Sequence, residues 1–174
     1  MLPEYIIILR NTRACFTDVE NIPMTGQLST KDILEYAISL EQRSAVLYTD
    51  LASRAKNNEI RKIFLEYAEE EMGHRKKLED VLEGEDVLES NSATTDMKLS
   101  DYTVPVKLGE SPSYQDILLF AMQQEKQAFR LYTDLANRVD TPEIKALFLA
   151  LAQEEAKHKL RFEVEYDEVV LVEN

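Results

Sequence analysis

The hexapeptide LYTDLA at residues 47–52 occurs a second time at residues 131–136, and the stretch around it is duplicated. Residues 32–74 align with residues 116–158 at a constant offset of 84 without a gap, and 20 of the 43 aligned positions are identical. Two copies are too few for a solenoid, which needs three or more repeats to bury a continuous core. The duplication instead predicts two helical hairpins that pack on each other.

Each copy contains two stripes of residues at helical spacing. The first stripe of each copy runs through Ile33, Ala37, Leu40, Ser44, Leu47 and Leu51, and through Ile117, Ala121, Gln124, Ala128, Leu131 and Leu135. The second runs through Ile60, Phe64, Tyr67, Glu71, His74 and Leu78, and through Ile144, Phe148, Leu151, Glu155, His158 and Phe162. Steps of three and four residues keep side chains on one helix face. The pattern predicts four helices of roughly 20–25 residues.

Residues that favour helix ends lie at the ends of these stripes. Ser29 and Ser113 are predicted N-caps, and Thr141 with Pro142 is predicted to start the fourth helix. The stretch 84–111 is rich in Ser, Thr, Asp and Gly and is long enough to run the height of a bundle. We therefore predict an all-α, ferritin-like four-helix bundle made of two repeated hairpins joined by a long crossover.

Length and composition fit one compact domain. The chain has 174 residues, of which 44% are hydrophobic and 30% are charged. We divide it into an N-terminal extension at 1–28, the bundle at 29–165 and an acidic tail at 166–174. Its net charge of −13 argues against a nucleic acid or an anionic membrane as partner, because phosphates would be repelled.

The single cysteine, Cys15, excludes a disulfide framework and a four-cysteine metal site. The apolar run at residues 5–9 is too short to cross a bilayer, and it lacks the flanking residues of a signal peptide. We therefore expect a cytoplasmic protein with no membrane partner.

Polar residues interrupt the predicted core at equivalent positions of the two copies. They are Glu41, Glu71 and His74 in the first copy and Glu125, Glu155 and His158 in the second. Each Glu-x-x-His pair lies three residues apart and therefore shares a helix face. Counting residues from each hairpin turn places all six at one height, near the middle of the bundle. The sequence predicts that four carboxylates and two imidazoles converge in one layer.

Charge balance indicates what such a layer would hold. Buried carboxylates are unfavourable without a counter-charge, and four together repel one another. No Lys or Arg lies on these stripes. Two divalent cations would balance four negative charges, and neutral imidazoles would complete their coordination, which is the ligand set of di-iron and di-manganese bundle proteins. A surface charge pattern, or a metal-free relic of such a site, is the alternative interpretation.

Two tyrosines accompany the predicted ligands. Tyr48 and Tyr132 each follow a core glutamate by seven residues, which is two turns along the same face. A phenol at this place can donate a hydrogen bond to a ligand carboxylate and orient it. We predict that role, with plain packing as the alternative. Glu70 and Glu154 also match between the copies, but they lie about 100° off the stripe and are predicted to face solvent.

The joint pattern resembles a known family. One pattern occurs twice: a Glu, then six residues, a Tyr, twenty-two residues and a Glu-x-x-His pair. Over roughly residues 29–165 it resembles the rubrerythrin-type branch of the ferritin-like di-iron proteins. The resemblance implies two iron ions, although the ligand types also suit manganese or zinc. The resemblance also implies a role for each predicted ligand. Glu71 and Glu155 would bridge the two metals, and Glu41 and Glu125 would be terminal ligands. His74 and His158 would each complete the coordination of one metal.

The sequence departs from this family in two respects. Rubrerythrins proper contain a rubredoxin domain with four cysteines, whereas this chain has Cys15 alone. An external electron donor, such as a rubredoxin-like protein, is therefore implied. Rubrerythrins also contain an additional glutamate three residues after the ligand of the third helix, where this chain has Ala128.

The resemblance implies an oxidoreductase that reduces hydrogen peroxide or O2 at a dinuclear metal centre. Two other functions stay open at this point. One is oxidation or buffering of ferrous iron without peroxidase turnover, and the other is a non-enzymatic helical module with a vestigial site. We also expect a homodimer, in which the long crossover would permit exchange of hairpins between copies.

Overall fold

A computed structural model describes residues 28–55, 57–84 and 112–173 of the chain. These ranges contain four helices: α1 (Thr30–Arg54), α2 (Asn58–Leu82), α3 (Tyr114–Ala136) and α4 (Pro142–Glu173). Since no strand occurs among the described residues, the predicted all-α class is confirmed. Cys15, the extension up to residue 27 and most of the predicted crossover lie outside the described residues.

The first helix of each hairpin starts with a capping box. The Oγ atom of Ser29 accepts a hydrogen bond from the backbone N–H of Asp32 at 3.1 Å, and the Asp32 carboxylate accepts one from the backbone N–H of Ser29 at 2.8 Å. Ser113 and Asp116 make the same two bonds at 3.1 and 2.9 Å. Both predicted N-caps are confirmed, and each is expected to contribute about 1 kcal/mol of stability.

Helices α1 and α2 pack together as the first hairpin. Asn57 caps α2 by accepting a hydrogen bond from the backbone N–H of Glu59 at 2.7 Å. Close to the turn, Nε of Arg61 donates to the carbonyl oxygen of Ala52 at 3.3 Å. Farther from it, Arg75 of α2 donates to the side chain of Gln42 of α1. The pairing of residues progressively farther from the turn shows that the two helices are antiparallel.

Helices α3 and α4 pack together as the second hairpin. Pro142 is the first residue of α4, and the carbonyl oxygen of Thr141 accepts a hydrogen bond from the backbone N–H of Lys145 at 3.0 Å, as predicted. At the open end of the hairpin, the hydroxyl of Tyr114 donates to Oε1 of Glu165 at 3.0 Å. The two hairpins belong to separate compact units of the chain.

The length of α4 differs from the expectation of 20–25 residues. Helices α1, α2 and α3 contain 25, 25 and 23 residues, but α4 contains 32 and continues to Glu173. No Gly or Pro follows Pro142 within the helix, so no stop signal ends it where the repeat ends. The helix therefore includes most of the predicted acidic tail. Within the described ranges, no helix combines the length and the apolar run that a membrane crossing requires.

The predicted core stripes of α2 and α4 are nearly right. All six stripe residues of α4 are buried, and in α2 only Ile60 is half-buried. In α1 and α3 the predicted stripes are wrong by one residue at mid-helix. Leu40 and Gln124 are half-buried, whereas their neighbours Glu41 and Glu125 are buried. At mid-helix the buried face therefore lies one residue further along the chain than the predicted stripe, and it includes the predicted ligands Glu41 and Glu125.

Candidate metal centre

The first hairpin buries two carboxylates and an imidazole at its mid-height. Glu41 lies in the middle of α1, and Glu71 and His74 lie one helical turn apart on α2. The exposed fractions of these residues are 3%, 1% and 4%. Each can offer one ligand atom, and these atoms lie within 4.8 Å of one another. The three residues predicted as ligands in the first copy are therefore brought together by one hairpin.

The imidazole of His74 turns its Nδ1 atom toward both carboxylates. The distance from Nδ1 to Oε2 of Glu71 is 3.2 Å, and the distance from Nδ1 to Oε2 of Glu41 is 3.7 Å. The i,i+3 spacing places Glu71 and His74 on the same face of α2. The contact between His74 and Glu41 depends on the packing of α1 against α2.

The second hairpin repeats this arrangement. Glu125 of α3 and the α4 residues Glu155 and His158 are buried, with exposed fractions of 2%, 1% and 1%. Their ligand atoms also lie within 4.8 Å of one another. The Nδ1 atom of His158 lies 3.7 Å from Oε2 of Glu125 and 3.8 Å from Oε2 of Glu155. The sequence duplication therefore corresponds to a duplicated triad of side chains.

The spacing within each triad fits a shared metal ion. Nitrogen and oxygen ligands lie about 2.1 Å from metals such as zinc. Two ligands of one ion are then about 3.0 Å apart at a right angle and about 4.2 Å apart on opposite sides. All four measured distances between an imidazole nitrogen and a carboxylate oxygen fall within this range. Two carboxylates with one imidazole are also the donor set that divalent iron, manganese and zinc accept.

Electrostatics in the first triad favour binding of a cation. Burial, and secondly the negative charge of Glu71, raise the pKa of the Glu41 carboxyl from 4.5 to about 8, although His74 opposes the change. Ionised Glu41 is therefore unfavourable near neutral pH unless a positive charge lies beside it. A bound divalent ion supplies that charge, and it would displace the proton from the carboxyl.

Tyr48 and Tyr132 are fully buried in their hairpins. The Tyr48 ring lies 6.2 Å from the ring of Phe64 and is nearly parallel to it, with an interplanar angle of 11°. Tyr132 stacks on Phe148 at 6.0 Å and 24°. These contacts show that both rings pack within their hairpins. The hydrogen bond from each phenol to a ligand carboxylate stays a prediction.

The aromatic cluster of the first hairpin also includes Tyr67. Tyr67 is buried one turn before Glu71, and its ring lies 5.4 Å from the ring of Tyr48. The equivalent residue of the second copy is Leu151. The helical stripes predicted that Tyr67 is buried, but they did not predict that it lies beside Tyr48. The alignment of the two copies could have indicated a difference here, because Tyr67 of the first copy is replaced by a leucine in the second.

The neighbouring matched glutamates do not lie on the same face as the triads. Glu154 precedes Glu155 and is partly exposed, and its Oε1 lies 3.0 Å from Nζ of Lys157. Glu70, its counterpart before Glu71, is half-buried. Adjacent residues of a helix differ by about 100° in direction, which explains why the two glutamates of each pair differ in environment.

Comparisons with known proteins agree with this geometry. A family model described as Rubrerythrin matches residues 32–112 and 116–174. The chain is also similar to the crystal structure of a Thermotoga maritima protein that is classed as a ferritin-like diiron-carboxylate protein. The TM-score is 0.66 at 21% sequence identity, over 82% of this chain and 97% of that chain. At this identity the similarity establishes the fold, and the predicted ferritin-like fold is confirmed. No curated protein is significantly similar in sequence.

Proposed function

This chain belongs to the rubrerythrin family, and from that premise we propose that it is an oxidoreductase with a di-iron centre. Its proposed substrate is hydrogen peroxide or O2, and its electrons come from an external donor. The observation that carries the proposal is the matched pair of buried triads. Each hairpin contributes two carboxylates and one imidazole at the spacing of metal ligands.

We propose that the two triads together hold two metal ions. Four ionised glutamates carry a charge of −4, and two divalent ions carry +4, so a pair of ions neutralises the set. A single ion would leave two buried negative charges, which is strongly unfavourable. Family membership supports bridging roles for Glu71 and Glu155 and terminal roles for Glu41 and Glu125. His74 and His158 would then each bind one ion through Nδ1.

The residues around the triads have defined tasks in this proposal. Bound iron would supply two electrons and would polarise the oxygen substrate. The apolar and aromatic side chains around each triad exclude bulk water, which strengthens the electrostatic interactions inside. The phenols of Tyr48 and Tyr132 are proposed to orient ligand carboxylates through hydrogen bonds. Before metal binds, the Glu41 carboxyl holds a proton because of its raised pKa.

We propose that the electrons come from outside these 174 residues. The 174 residues contain one cysteine, which cannot form the four-cysteine iron site through which rubredoxins transfer electrons. A rubredoxin-like protein or another one-electron donor would have to dock and reduce the centre after each turnover. This partner is proposed from the cysteine content and not from the geometry of the triads.

Rapid mixing under anaerobic conditions tests the proposed reaction. Protein loaded with two ferrous ions per chain is mixed with hydrogen peroxide, and iron oxidation is followed by absorbance. We expect oxidation within seconds, with about one peroxide consumed per two irons, because the O–O bond takes up two electrons. No oxidation on this timescale would rule out peroxide reduction.

A matched pair of variants links the reaction to the second triad. Glu155→Gln removes one negative ligand oxygen and is expected to reduce iron loading and oxidation at least tenfold. Glu154→Gln changes the adjacent residue, which pairs with Lys157 outside the triad, and is expected to leave both unchanged. Equal effects of the two substitutions would contradict the ligand assignment.

Oxidation or buffering of ferrous iron is the second candidate function. The observation that favours it is Ala128, which stands where rubrerythrins proper have an additional glutamate. In this case O2 would oxidise the bound iron, and peroxide would not be turned over with an added electron donor. Binding well beyond two irons per chain would further favour iron storage over catalysis.

A further inference from the structure

A small network of side chains joins α1 to α2 beside the predicted ligands. Gln42 follows the predicted ligand Glu41 in α1, and Arg75 follows the predicted ligand His74 in α2. The Nη1 atom of Arg75 donates a hydrogen bond to Oε1 of Gln42, and its Nε atom donates one to Oε1 of Glu79 at 2.7 Å. The Arg75 side chain is 27% exposed, so both bonds are partly shielded from water. We call Gln42, Arg75 and Glu79 the helix clamp.

The residues at the equivalent positions of the second hairpin cannot form the same clamp. They are Lys126, Lys159 and Glu163. Lys159 pairs with Glu163 along α4, which repeats the pairing of Arg75 along α2. Lys126, however, replaces the amide that accepts the bond across the first hairpin, and an ammonium group has donors and no acceptor. At these positions both hairpins therefore have the bond within one helix, whereas the bond between two helices is specific to the first hairpin.

The chemistry of arginine explains how one side chain makes both bonds. A guanidinium is a planar fork whose nitrogens point in fixed and different directions. Arg75 can therefore bind a carboxylate of its own helix and an amide of the other helix at the same time. Because the ion pair with Glu79 already orients the guanidinium, the bond to Gln42 requires little further ordering. A lysine is a point charge on a flexible stem and is not a substitute at such a site.

The helix clamp restrains a contact on which the first triad depends. Glu41 and His74 come from different helices, and Oε2 of Glu41 lies 3.7 Å from Nδ1 of His74. The equivalent distance in the second hairpin, from Glu125 to His158, is also 3.7 Å. The two triads therefore share one spacing between helices. The residues that follow these ligands hold that spacing by a hydrogen bond in the first hairpin and cannot do so in the second.

We propose that Arg75 is a positioning residue that makes the two metal sites unequal, so that the first triad binds its ion before the second triad and more tightly. The inference rests on the proposed two-ion centre. When two ligands are already held at the required separation, less of the binding free energy is used to order them. Residues that orient metal ligands change metal affinity by about tenfold to a hundredfold. Since Arg75 acts through the helices and does not bond to a ligand, we expect the smaller value, about tenfold.

The two histidines of the chain report on the two sites separately, because each triad contains one of them. Zinc is added to the metal-free full chain, and the imidazole signals of His74 and His158 are followed by nuclear magnetic resonance. If the sites bind independently, a tenfold difference in affinity fills about three-quarters of the first site and about one-quarter of the second at one zinc ion per chain. Equal filling at every ratio would overturn this inference alone. No change of either signal would overturn the two-ion centre as well.

Exchange of the clamp residues between the hairpins tests the role of the clamp itself. The variant Q42K/R75K gives the first hairpin the residues of the second and is expected to fill both sites equally. The converse variant K126Q/K159R is expected to raise the zinc affinity of the second site about tenfold, a gain that a loss of stability cannot produce. Lys76→Gln changes an exposed neighbour of Arg75 and should leave the order of filling unchanged. An unchanged order in Q42K/R75K, or an unchanged second site in K126Q/K159R, would overturn the proposal. Helix content measured by circular dichroism confirms that each variant is folded.

Discussion

Replacing Glu41 with glutamine should stabilise the metal-free protein at high pH and not at low pH. Burial raises the pKa of Glu41 to about 8 in the folded chain, whereas the ordinary value of 4.5 applies to the unfolded chain. Between these two pH values the folded state holds a proton that the unfolded state releases. The stability that the protonated Glu41 carboxyl contributes is therefore fully present below about pH 4.5, and it is lost as the pH rises toward about 8.

The structure sets an upper limit on this effect. The difference between 4.5 and about 8 corresponds to about 5 kcal/mol, at about 1.4 kcal/mol for each pH unit. Relaxation of the hairpin and entry of water reduce such penalties, so we expect a loss of about 2–4 kcal/mol. Glutamine is neutral at every pH and has nearly the same shape as the protonated carboxyl. The metal-free Glu41→Gln variant should therefore not lose this part of its stability.

Urea unfolding of both metal-free proteins at about pH 5 and about pH 8 measures the effect. The free energies of unfolding should agree at the lower pH, and the variant should be more stable at the higher pH. Glu69→Gln, an exposed position on α2, serves as the control and should follow the unmodified protein at both pH values. With saturating ferrous ion the order should reverse, because the ionised carboxylate then has a cation beside it. A difference between the unmodified protein and Glu41→Gln that does not change with pH would refute the reasoning.

Three further predictions concern the ligands, the tyrosines and the helix caps. His74→Ala should lower the metal content measured by plasma emission from two ions per chain to about one, because one triad loses its imidazole. Tyr48→Phe should weaken iron binding, measured by competition with a chelator, about tenfold if the phenol orients a carboxylate. Unchanged affinity would leave Tyr48 with a packing role only. Ser29→Ala and Ser113→Ala should each lower the free energy of unfolding by about 1 kcal/mol in urea titrations, since each removes one cap. A loss at one cap alone would show that the two capping boxes are not equivalent in solution.

Local features of the fold could be predicted because they depend on residues close together in the chain. The caps at Ser29 and Ser113 rely on bonds across three residues, and Pro142 determines a helix start by its own fixed backbone angle. The pairing of α1 with α2 and of α3 with α4 follows from the short connections between the two helices of each pair. The candidate ligands could also be identified, since duplication preserved the Glu-x-x-His pairs in register.

The exact buried stripe of α1 could not be predicted in the same way. Leu40 and Glu41 both lie on continuous helical stripes, and a hydrophobic pattern selects the leucine. The structure buries Glu41 because α2 places His74 and Glu71 against that side of α1. This choice depends on the neighbouring helix, which is far away in sequence.

By itself, the amino-acid sequence determined that the chain forms two alike helical hairpins, where their first helices begin, and which side chains could bind metal. Interactions within one helical turn and the duplicated pattern are sufficient for these features. Only the tertiary structure decided that Nδ1 of each histidine faces the carboxylates, that Tyr67 lies beside Tyr48, and that Leu149, Leu160 and Val164 of α4 are exposed. Each of these depends on how one helix packs on another, because burial and distance are properties of pairs of helices and not of a single segment.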